Sequence, residues 1–547
     1  MLDDQAHARH FPFPTIRDEQ KRAIEFALDA YAQGKRYVVL EMGTGCGKSP
    51  TGITIARHLE EKLGGSTGAY VLTTQKLLQD QYVRDFGLGT PFGLLRSIKS
   101  SSNYQCGVKA GQTCAETRRI TGNPLLVKYA AKDSAYKACD TSCPYKQAKR
   151  DFLECRVGVT NFAYFFAETM YAGKLLPRDL LVVDECHNIE SELGRFIEVM
   201  FSERFARDTL QLRAPKAGAT QDAVFAWIKG PYEKALSRHI KDLVSTLESA
   251  MQGGADLGTH SKELEVLDKH ICKVHRFVAA YDKRLWVMNT GLPMPGTGAR
   301  GGRKFEFKPV SVASHSQETL FKFGTRVLMM SATIVDKDVF CRTIGLDPAE
   351  VAFLRIPSPF PVQNRLVHFM PVGSMSRARI DETLPKMVEG LKTLLAAHAG
   401  EKGIVHAVNY RIARHLVDVI RDPRLLLHDS TNRDETLRMH AADPGPTVLV
   451  SPSMMEGVDL VGDLSRFQVL VKVPFPFLGD EVVKRRMEAD PRWYAYQTAR
   501  SIMQALGRSV RSSTDHAVSY ILDADWRRFY DTNASMFPVE FHDAMSQ

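Results

Sequence analysis

The segment from Glu41 to Ser49 carries the residues whose types and spacing best fit a chemical role. It reads Glu-Met-Gly-Thr-Gly-Cys-Gly-Lys-Ser and directly follows the apolar run 37–40. Glycines let backbone N–H groups approach phosphate oxygens, and the helix predicted behind them adds the positive end of its dipole. In such a P-loop, Lys48 would contact the β- and γ-phosphates and Ser49 would bind Mg²⁺. Met42 stands where the strict pattern has glycine, so a glycine-rich structural turn is the alternative. The predicted phosphate-binding residues are Gly43, Thr44, Gly45, Cys46, Gly47, Lys48 and Ser49.

Two adjacent carboxylates, Asp184 and Glu185, end the apolar strand 181–183. Asp184 suits Mg²⁺ coordination through water, and Glu185 suits the general base that orients an attacking water. An apolar strand that ends in such a pair is often only a surface turn. Because this pair follows a P-loop along the chain, we interpret it as a hydrolytic pair.

A third pattern lies near the end of the chain, where Gln504 precedes Arg508 and Arg511. Residues three apart share one helical face, and arginines from a second lobe can stabilise charge on a phosphoryl group during its transfer. An ordinary basic helix face is the alternative. The upstream segment that ends at Asp459 is interpreted as a loop that couples the nucleotide to a bound strand. The triplet Ser-Ala-Thr at 331–333 is a weaker signal, whose alternative is a plain turn.

The elements that must position these residues alternate between strands and helices. Such βα alternation predicts parallel sheets whose functional residues lie at the carboxyl ends of the strands. A chain of 547 residues is too long for one core, and two α/β units of similar size predict a duplicated motor core. The predicted strands of the first unit are 37–40, 69–73, 157–160 and 180–184, with one more that ends in the triplet 331–333. Those of the second unit are 403–408, 447–450, 467–473 and 517–522.

Two insertions interrupt the first unit. The segment 97–156 holds five of the nine cysteines, which favours a metal site over disulfides in an intracellular protein. The segment 195–315 carries long helical patterns at 222–252 and 262–287 and then a loop rich in glycine and proline at 291–302. Its helices offer no chemical motif.

Composition bounds the class of protein. The chain is 44% hydrophobic and 25% charged, with a net charge of +9 and a pI near 8.9. This charge fits a polyanionic partner, although a solvated basic surface is the alternative. No apolar run approaches the ~18 residues of a membrane span, and residues 1–14 lack a signal-peptide core. We therefore expect a cytoplasmic protein.

In motif identity and order, the chain resembles superfamily 2 helicases of the XPD/DinG family over about residues 11–530. Arg17 and Gln20 match the family's adenine-reading motif, with Gln20 as the reader. The box 184–189 departs from the usual Asp-Glu-Ala-His only by cysteine at 186. Segments 358–361 and 403–410 also fit, although the second has histidine at 406 where the family usually has phenylalanine. The resemblance implies DNA contacts by Thr73, Thr74, Lys76 and Asn409.

The resemblance also bears on the cysteines. Cys106 and Cys143 are similar to the family's first and last iron–sulfur ligands, and Cys114 and Cys139 lie between them. The spacings of 7, 24 and 3 intervening residues lack the Cys-x₂-Cys knuckles typical of zinc. From spacing alone, zinc, a [4Fe–4S] cluster and buried free thiols stay open; the resemblance implies the cluster. The remaining cysteines, Cys155 among them, are interpreted as unligated.

Aromatic residues close to these cysteines could stack on unpaired bases. Tyr164 is the one predicted to contact DNA, and a place in the core is the alternative. The other candidates are Tyr145, Phe162 and Phe165.

The resemblance implies an α/β fold of two RecA-like parallel-sheet lobes, with an iron–sulfur insertion and a mostly helical, arch-like insertion in lobe one. It implies ATP, Mg²⁺ and a [4Fe–4S] cluster as cofactors. The predicted divisions are lobe one at 1–96, 157–194 and 316–344, the cluster domain at 97–156, the arch at 195–315 and lobe two at 345–547.

The function implied is that of an ATP-dependent DNA helicase that moves 5′ to 3′ on single-stranded DNA, acts on forks and is expected to be a monomer. The first rival is a DNA-stimulated ATPase that translocates or remodels without unwinding. A nuclease-helicase is less favoured, because no exonuclease domain fits before Phe11. A non-catalytic DNA-binding scaffold is disfavoured by Lys48, Glu185 and Arg511. The size points to a prokaryotic or viral source.

Overall fold

The computed structural model describes residues 8–64, 66–90, 93, 95–121, 134–173, 175–253, 257–291, 302–429, 431–452, 460, 462–507, 509–510, 512 and 514–546. Its strands, numbered in chain order, are β1 (Tyr37–Met42), β2 (Ala69–Thr73), β3 (Leu95–Ser97), β4 (Val157–Asn161), β5 (Arg178–Asp184), β6 (Val199–Ser202), β7 (Trp286–Gly291), β8 (Lys304–Pro309), β9 (Gly324–Ser331), β10 (Val351–Ile356), β11 (Val367–Gly373), β12 (Gly403–His406), β13 (Leu425–Leu427), β14 (Val448–Ser451), β15 (Phe467–Leu470), β16 (Val518–Asp523) and β17 (Met545–Ser546).

The α-helices connect these strands and cover their faces. They are α1 (Asp18–Ala32), α2 (Lys48–Lys62), α3 (Lys76–Phe86), α4 (Cys114–Thr121), α5 (Ser134–Ser142), α6 (Pro144–Glu154), α7 (Phe162–Ala167), α8 (Ile189–Ile197), α9 (Glu203–Asp208), α10 (Gln221–Trp227), α11 (Glu233–Gly253), α12 (Leu257–Ala280), α13 (Ala313–Thr319), α14 (Lys337–Thr343), α15 (Ile380–Ala397), α16 (Tyr410–Ile420), α17 (Arg433–Ala442), α18 (Glu481–Ala489), α19 (Pro491–Leu506), α20 (Asp525–Asn533) and α21 (Val539–Ala544).

Two seven-stranded parallel sheets form the two lobes. The first has the order β10-β1-β9-β5-β2-β4-β3 and the second the order β13-β14-β12-β15-β16-β11-β17. The inner strands β1, β2 and β4 of the first sheet and β12, β14 and β15 of the second are almost wholly buried, as expected of parallel strands covered on both faces. Parallel pairing brings the carboxyl ends of β1, β9 and β5 to one edge, where the P-loop, the Ser-Ala-Thr triplet and the Asp-Glu pair begin. The predicted α/β class and parallel sheets are thereby confirmed.

The boundary between the lobes differs from the predicted one at 344/345. Strand β10 pairs with β1, with Val351 opposite Tyr37 and Ile356 opposite Met42, so lobe one continues through Ile356. An apolar segment at 351–356 fits an outer strand of either unit, and sequence order alone assigned it to the wrong one. The chain therefore enters lobe two directly beside the P-loop.

The cysteine-bearing insertion between β3 and β4 contains α4, α5 and α6. A buried arginine, Arg178, fastens it to the first sheet. Its Nη1 donates to the Ala69 carbonyl at 2.9 Å and its Nη2 to the Phe152 carbonyl at 3.0 Å. The same guanidinium lies 4.3 Å from the centre of the Tyr70 ring. Because these contacts hold the end of α6 against the sheet, the base of the insertion is fixed.

The second insertion pairs α11 with α12 and adds a three-stranded antiparallel sheet in the order β6-β8-β7. The predicted helix 262–287 is wrong at its end, because α12 stops at Ala280 and Trp286 begins β7. Trp286 packs on Phe277, with ring centroids 4.9 Å apart, and this tertiary contact outweighs the local helical pattern. The pattern 222–252 is also broken, by a π-helical turn that contains Pro231. Most of the predicted loop at 291–302 lies outside the described residues.

Among the described helices, none combines the length and apolarity needed to cross a bilayer.

Candidate nucleotide-binding site between the lobes

The P-loop connects β1 to α2, which begins at Lys48. Gly47 has φ +76°, and a Cβ there would lie 2.2 Å from the Gln20 Nε2. Gly45 has φ +86°, and its backbone lies against the Phe360 ring. Both positions therefore require glycine. The loop takes this tight form next to the adenine-reading candidates on α1.

Gln20 is 4% exposed and accepts a hydrogen bond from the Arg17 backbone N–H at 3.0 Å. Arg17 and Gln20 line a cleft of about 590 Å³ together with Lys48 and Ser49. Phe13 also lines this cleft, is 47% exposed and lies 6.1 Å from the Phe86 ring. An exposed aromatic ring beside a P-loop can stack on a nucleobase. Sequence reasoning missed it, although Phe-Pro-Phe-Pro just before the adenine motif was a usable signal.

The Asp-Glu pair lies across from the P-loop lysine. Lys48 Nζ lies 3.6 Å from Glu185 Oε1, and His187 Nδ1 lies 3.3 Å from Glu185 Oε2. Glu185 has φ +53°, a left-handed conformation that is rare outside glycine and asparagine. Such strain is typical of functional positions, because the surrounding structure must hold it in place. Glu185 is also partly exposed, as a residue that orients water must be.

Asp184 is only 2% exposed. Burial raises its pKa to about 6; the negative charge of Glu185 also raises it, and the positive charge of Lys48 opposes both. The Tyr82 hydroxyl donates to Asp184 Oδ2 at 2.8 Å. Burial raises the pKa of Tyr82 well above its usual value, and Asp184 adds to that shift, so this phenol remains a proton donor. A divalent cation would stabilise the ionised Asp184, as the predicted Mg²⁺ role requires.

The Ser-Ala-Thr triplet contacts both the Asp-Glu box and lobe two. His187 Nδ1 lies 2.7 Å from Ser331 Oγ, and Gln504 Nε2 donates to Thr333 Oγ1 at 3.4 Å. Gln504 lies on α19 of lobe two, so this hydrogen bond crosses the interface. The predicted residues Arg508, Arg511 and Asp459 lie outside the described residues.

A buried carboxylate that sequence reasoning missed ties the P-loop strand to this triplet. Glu41, at 6% exposure, accepts the backbone N–H groups of Ile334 at 2.9 Å and Val335 at 3.0 Å. Its second oxygen pairs with Arg355 on β10. The three strands β10, β1 and β9 thus share one charged hydrogen-bond group at their carboxyl ends.

A second missed residue, Glu190, joins the Asp-Glu box to lobe two. One of its oxygens pairs with Arg486, and the other accepts from Gln497 Nε2 at 2.8 Å. The Arg486 guanidinium also lies 4.2 Å from the centre of the Trp493 ring. Burial lowers the pKa of Arg486 to about 10, so it remains a cation at neutral pH. Nothing in the local sequence signals these partners, which lie about 300 residues away along the chain.

The residues predicted to contact DNA have different surroundings. Lys76 is exposed at the start of α3 and donates to Asn103 Oδ1 at 2.9 Å, and Thr74 is half-buried. Thr73 is buried, and Asn409 is half-buried and caps α16 by accepting from the Ile412 N–H at 3.0 Å.

Tyr164 requires a correction. It is 7% exposed and packs in the core, with its hydroxyl 3.0 Å from that of Tyr145. A ring covered in this way offers no face to a base, so the core alternative holds.

The four cysteines singled out as ligands converge in the first insertion. Cys114 Sγ lies 3.8 Å from Cys143 Sγ, and Cys139 interacts with both Cys143 and Cys106. Burial raises the pKa of Cys106, but hydrogen bonds from the Thr117 hydroxyl and the Lys109 N–H outweigh it, so the net shift is downward. Those hydrogen bonds favour a thiolate.

Cys155 stands apart from this group. Its thiol donates to the Phe152 carbonyl at 3.1 Å, and it lies beside Arg178. The nine cysteines, all of which lie among the described residues, form no disulfides. Within the described part of the chain, no three His, Cys, Asp or Glu side chains already surround a common metal position. The four sulfurs are therefore gathered without a finished coordination geometry.

Comparison with known proteins agrees with this arrangement. Residues 13–208 match the family of the type III restriction enzyme res subunit, and residues 393–542 match the helicase C-terminal domain. The ATP-dependent DNA helicase YoaA of Escherichia coli (strain K12) is 22% identical, over 96% of this chain and 94% of its own. The ATP-dependent DNA helicase DinG of Photobacterium profundum is 20% identical, over 90% of each chain. A solved XPD helicase shares the fold, with a TM-score of 0.64 at 16% identity over 96% of this chain and 98% of that one.

The Lys48–Glu185 arrangement predicts separate defects in binding and hydrolysis. Lys48→Ala should weaken binding of ATP, because it removes the cation nearest the predicted phosphates. Glu185→Gln should keep binding and lose ~10²–10⁴-fold in turnover, since it removes only the group that orients water. Equilibrium binding of a fluorescent ATP analogue and steady-state phosphate release measure the two effects. Unchanged hydrolysis in both variants would contradict the assignment.

The Glu190 contacts predict a variant that binds nucleotide but couples the lobes poorly. Glu190→Gln removes the charge of the carboxylate that pairs with Arg486. Hydrogen bonds to charged groups contribute ~1.5–3 kcal/mol, so we expect turnover to fall about tenfold or more. Nucleotide affinity should change little, because the P-loop is untouched. Glu192→Gln is the matched control, since Glu192 pairs with Arg195 at 2.9 Å on the same helix. Equal turnover in the two variants would count against a coupling role.

Proposed function

We propose that the chain is an ATP-dependent DNA helicase of the XPD/DinG type, which moves 5′ to 3′ along single-stranded DNA and unwinds duplex. Its similarity to the YoaA and DinG helicases and to the XPD fold supports this proposal. The observation that carries the proposal is that several motifs meet at the interface between the two lobes. The P-loop, the Asp-Glu box and the Ser-Ala-Thr triplet of lobe one meet Gln504 of lobe two there. A motor needs this geometry, since hydrolysis must alter the contact between two lobes.

The residues divide the chemistry of ATP hydrolysis among them. Gln20 and Phe13 would hold the base, and Lys48 the phosphates. Ser49 and Asp184 would hold Mg²⁺, which neutralises charge on the β- and γ-phosphates when bound. Glu185 would orient the attacking water. Phe13, Gln20, Lys48 and Ser49 line one cleft. Lys48 also lies 3.6 Å from Glu185, and these positions support the division of roles.

Lobe two would complete the site when the lobes close. Arg508 and Arg511 follow α19, whose Gln504 already contacts Thr333. We therefore assign them as the arginines that stabilise the transferring phosphoryl group. Asp459, in the preceding loop, is assigned to the coupling between nucleotide and bound strand.

The four converging cysteines suit a [4Fe–4S] cluster held by Cys106, Cys114, Cys139 and Cys143. Four sulfur donors with no histidine or carboxylate among them match the ligand chemistry of such clusters. Cys143 lies 3.8 Å from Cys114, sulfur to sulfur, and Cys139 interacts with Cys143 and Cys106. The cluster would cross-link α4, α5 and α6 when bound. The insertion is also held in place without the cluster, because Arg178 fixes the end of α6 to the sheet.

The proposal also assigns residues to the path of the DNA. Lys76, at the exposed start of α3, and Asn409, at the start of α16, are assigned to single-stranded DNA on the two lobes. The second insertion would serve as the arch, since α12 packs against α4 of the cysteine-bearing insertion. A protein of this kind is expected to act as a monomer in the cytoplasm, on single-stranded and forked DNA.

The cysteine assignment predicts a brown protein with about four irons per chain and absorption near ~400 nm, as thiolate-bound iron gives. Cys143→Ser should lose the iron, because Cys143 lies at the centre of the sulfur contacts. Cys155→Ser is the matched control and should retain it. Iron and zinc analysis of anaerobically purified protein decides the point. Stoichiometric zinc, or iron loss in Cys155→Ser, would refute the assignment.

The helicase assignment is tested by strand displacement on duplexes with either a 5′ or a 3′ single-stranded tail. We expect ATP-dependent release from the 5′-tailed substrate only, and none with Lys48→Ala. Binding to the tail should weaken as salt rises, because phosphate contacts release counterions. DNA-stimulated ATP hydrolysis without strand release would favour a translocase or remodeller instead.

A further inference from the structure

One buried hydroxyl connects helix α3 to the Asp-Glu box, which belong to different sequence motifs. Tyr82 lies on α3, six residues after Lys76, and is 1% exposed. Its hydroxyl donates to Asp184 Oδ2 at 2.8 Å, and the Ser49 side chain also interacts with it. Ser49 and Asp184 are the two side chains assigned to Mg²⁺. A single phenol oxygen therefore borders both of them.

We propose that Tyr82 is a positioning residue for the Mg²⁺ ligands of this site; the inference rests on the proposed function. Asp184 Oδ1 accepts the Glu185 backbone N–H at 3.0 Å, so each carboxylate oxygen has one fixed donor. With both oxygens held, the carboxylate plane cannot rotate freely, and its remaining lone pairs keep one direction. Groups that orient metal ligands in this way typically change metal affinity by ~10–100-fold when removed.

The position of the hydroxyl is itself fixed by the packing of α3. Gln79, one turn before Tyr82 and fully buried, donates to Ser97 Oγ at 2.7 Å and to the Ile98 carbonyl at 2.8 Å. Phe86, one turn after Tyr82, packs on its ring with centroids 5.8 Å apart. The ring therefore has no room to swing away from Asp184. A simple space-filling role would need the ring alone, whereas the proposed role needs the oxygen.

The test separates these two roles with Tyr82→Phe, which keeps the ring and removes the hydroxyl. Tyr70→Phe is the matched control, because Tyr70 is equally buried in the same lobe and its hydroxyl donates to the Leu176 carbonyl at 3.0 Å, away from the P-loop. Each variant loses one phenol hydroxyl and the contacts that this hydroxyl makes. Thermal unfolding should show similar small losses of stability in the two.

Metal binding is read directly, without turnover. Mn²⁺ is titrated into protein saturated with a non-hydrolysable ATP analogue and followed by electron paramagnetic resonance. We expect the Mn²⁺ dissociation constant of Tyr82→Phe to rise by about tenfold, and that of Tyr70→Phe to match the parent. Binding of the analogue in EDTA should be unchanged in both, since Gln20 and Lys48 remain.

A double-mutant cycle ties the effect to the carboxylate. In an Asp184→Asn background, Tyr82→Phe should cause no further loss of Mn²⁺ affinity, because the oriented ligand is already gone. Equal Mn²⁺ affinity in Tyr82→Phe and Tyr70→Phe, or an additive loss in the double variant, would overturn the inference. A parent protein that binds neither Mn²⁺ nor the analogue would overturn the proposed function instead.

Discussion

The arrangement of the motor site depends on one buried carboxylate, Glu41. It lies at the carboxyl end of β1 and accepts two backbone N–H groups from the residues after β9, while it pairs with Arg355 of β10. Loss of Arg355, whose side chain is 33% exposed, would leave the buried carboxylate without its counter-charge, and a hydrogen bond to a charged group contributes ~1.5–3 kcal/mol. The loop after the Ser-Ala-Thr triplet can therefore hold Val335 at φ +68°, a conformation that valine alone would avoid. Glu41 thereby connects the residues after the triplet to the strand that leads into the P-loop.

The interface between the lobes combines an apolar strip with a set of charged contacts. Trp493, Tyr496 and Ile502 of α19 are buried in one core with residues of the Asp-Glu box region. Beside them, Arg500 Nη1 donates to the His187 carbonyl at 3.0 Å, and Glu190 meets Arg486. The polar contacts converge on the box that also carries Asp184 and Glu185. A change at the nucleotide therefore has a short covalent route to the groups that hold lobe two.

Local patterns predicted the structure well where function and local conformation coincide. Glycines, apolar strands and the residues at strand ends are such patterns. The P-loop and the two parallel sheets were therefore predictable, and the main strands of each lobe were predicted to within a few residues. Tyr82 and Glu190 were not, because their partners lie 102 and about 300 residues away and only the folded sheet brings them together. The same limit explains β10, whose apolar pattern does not say which sheet it joins. It also explains the end of α12, where the burial of Trp286 decides the structure.

The Asp-Glu box departs from the family pattern at position 186, where burial keeps the cysteine thiol from reacting. Cysteine at 186 stands where the box usually has alanine, next to the two carboxylates that we propose act in hydrolysis. Its side chain is fully buried, and burial, followed by the charges of Glu185 and Asp184, raises the pKa of its thiol well above the usual value. The thiol therefore stays neutral and unreactive, since only the thiolate is a nucleophile or a metal ligand. Cys186 packs in the same core as Tyr496 of lobe two. Asp184 and Glu185 instead contact Tyr82 and Lys48. The chemistry of the box depends on which side chains turn toward the P-loop, and Cys186 is not one of them.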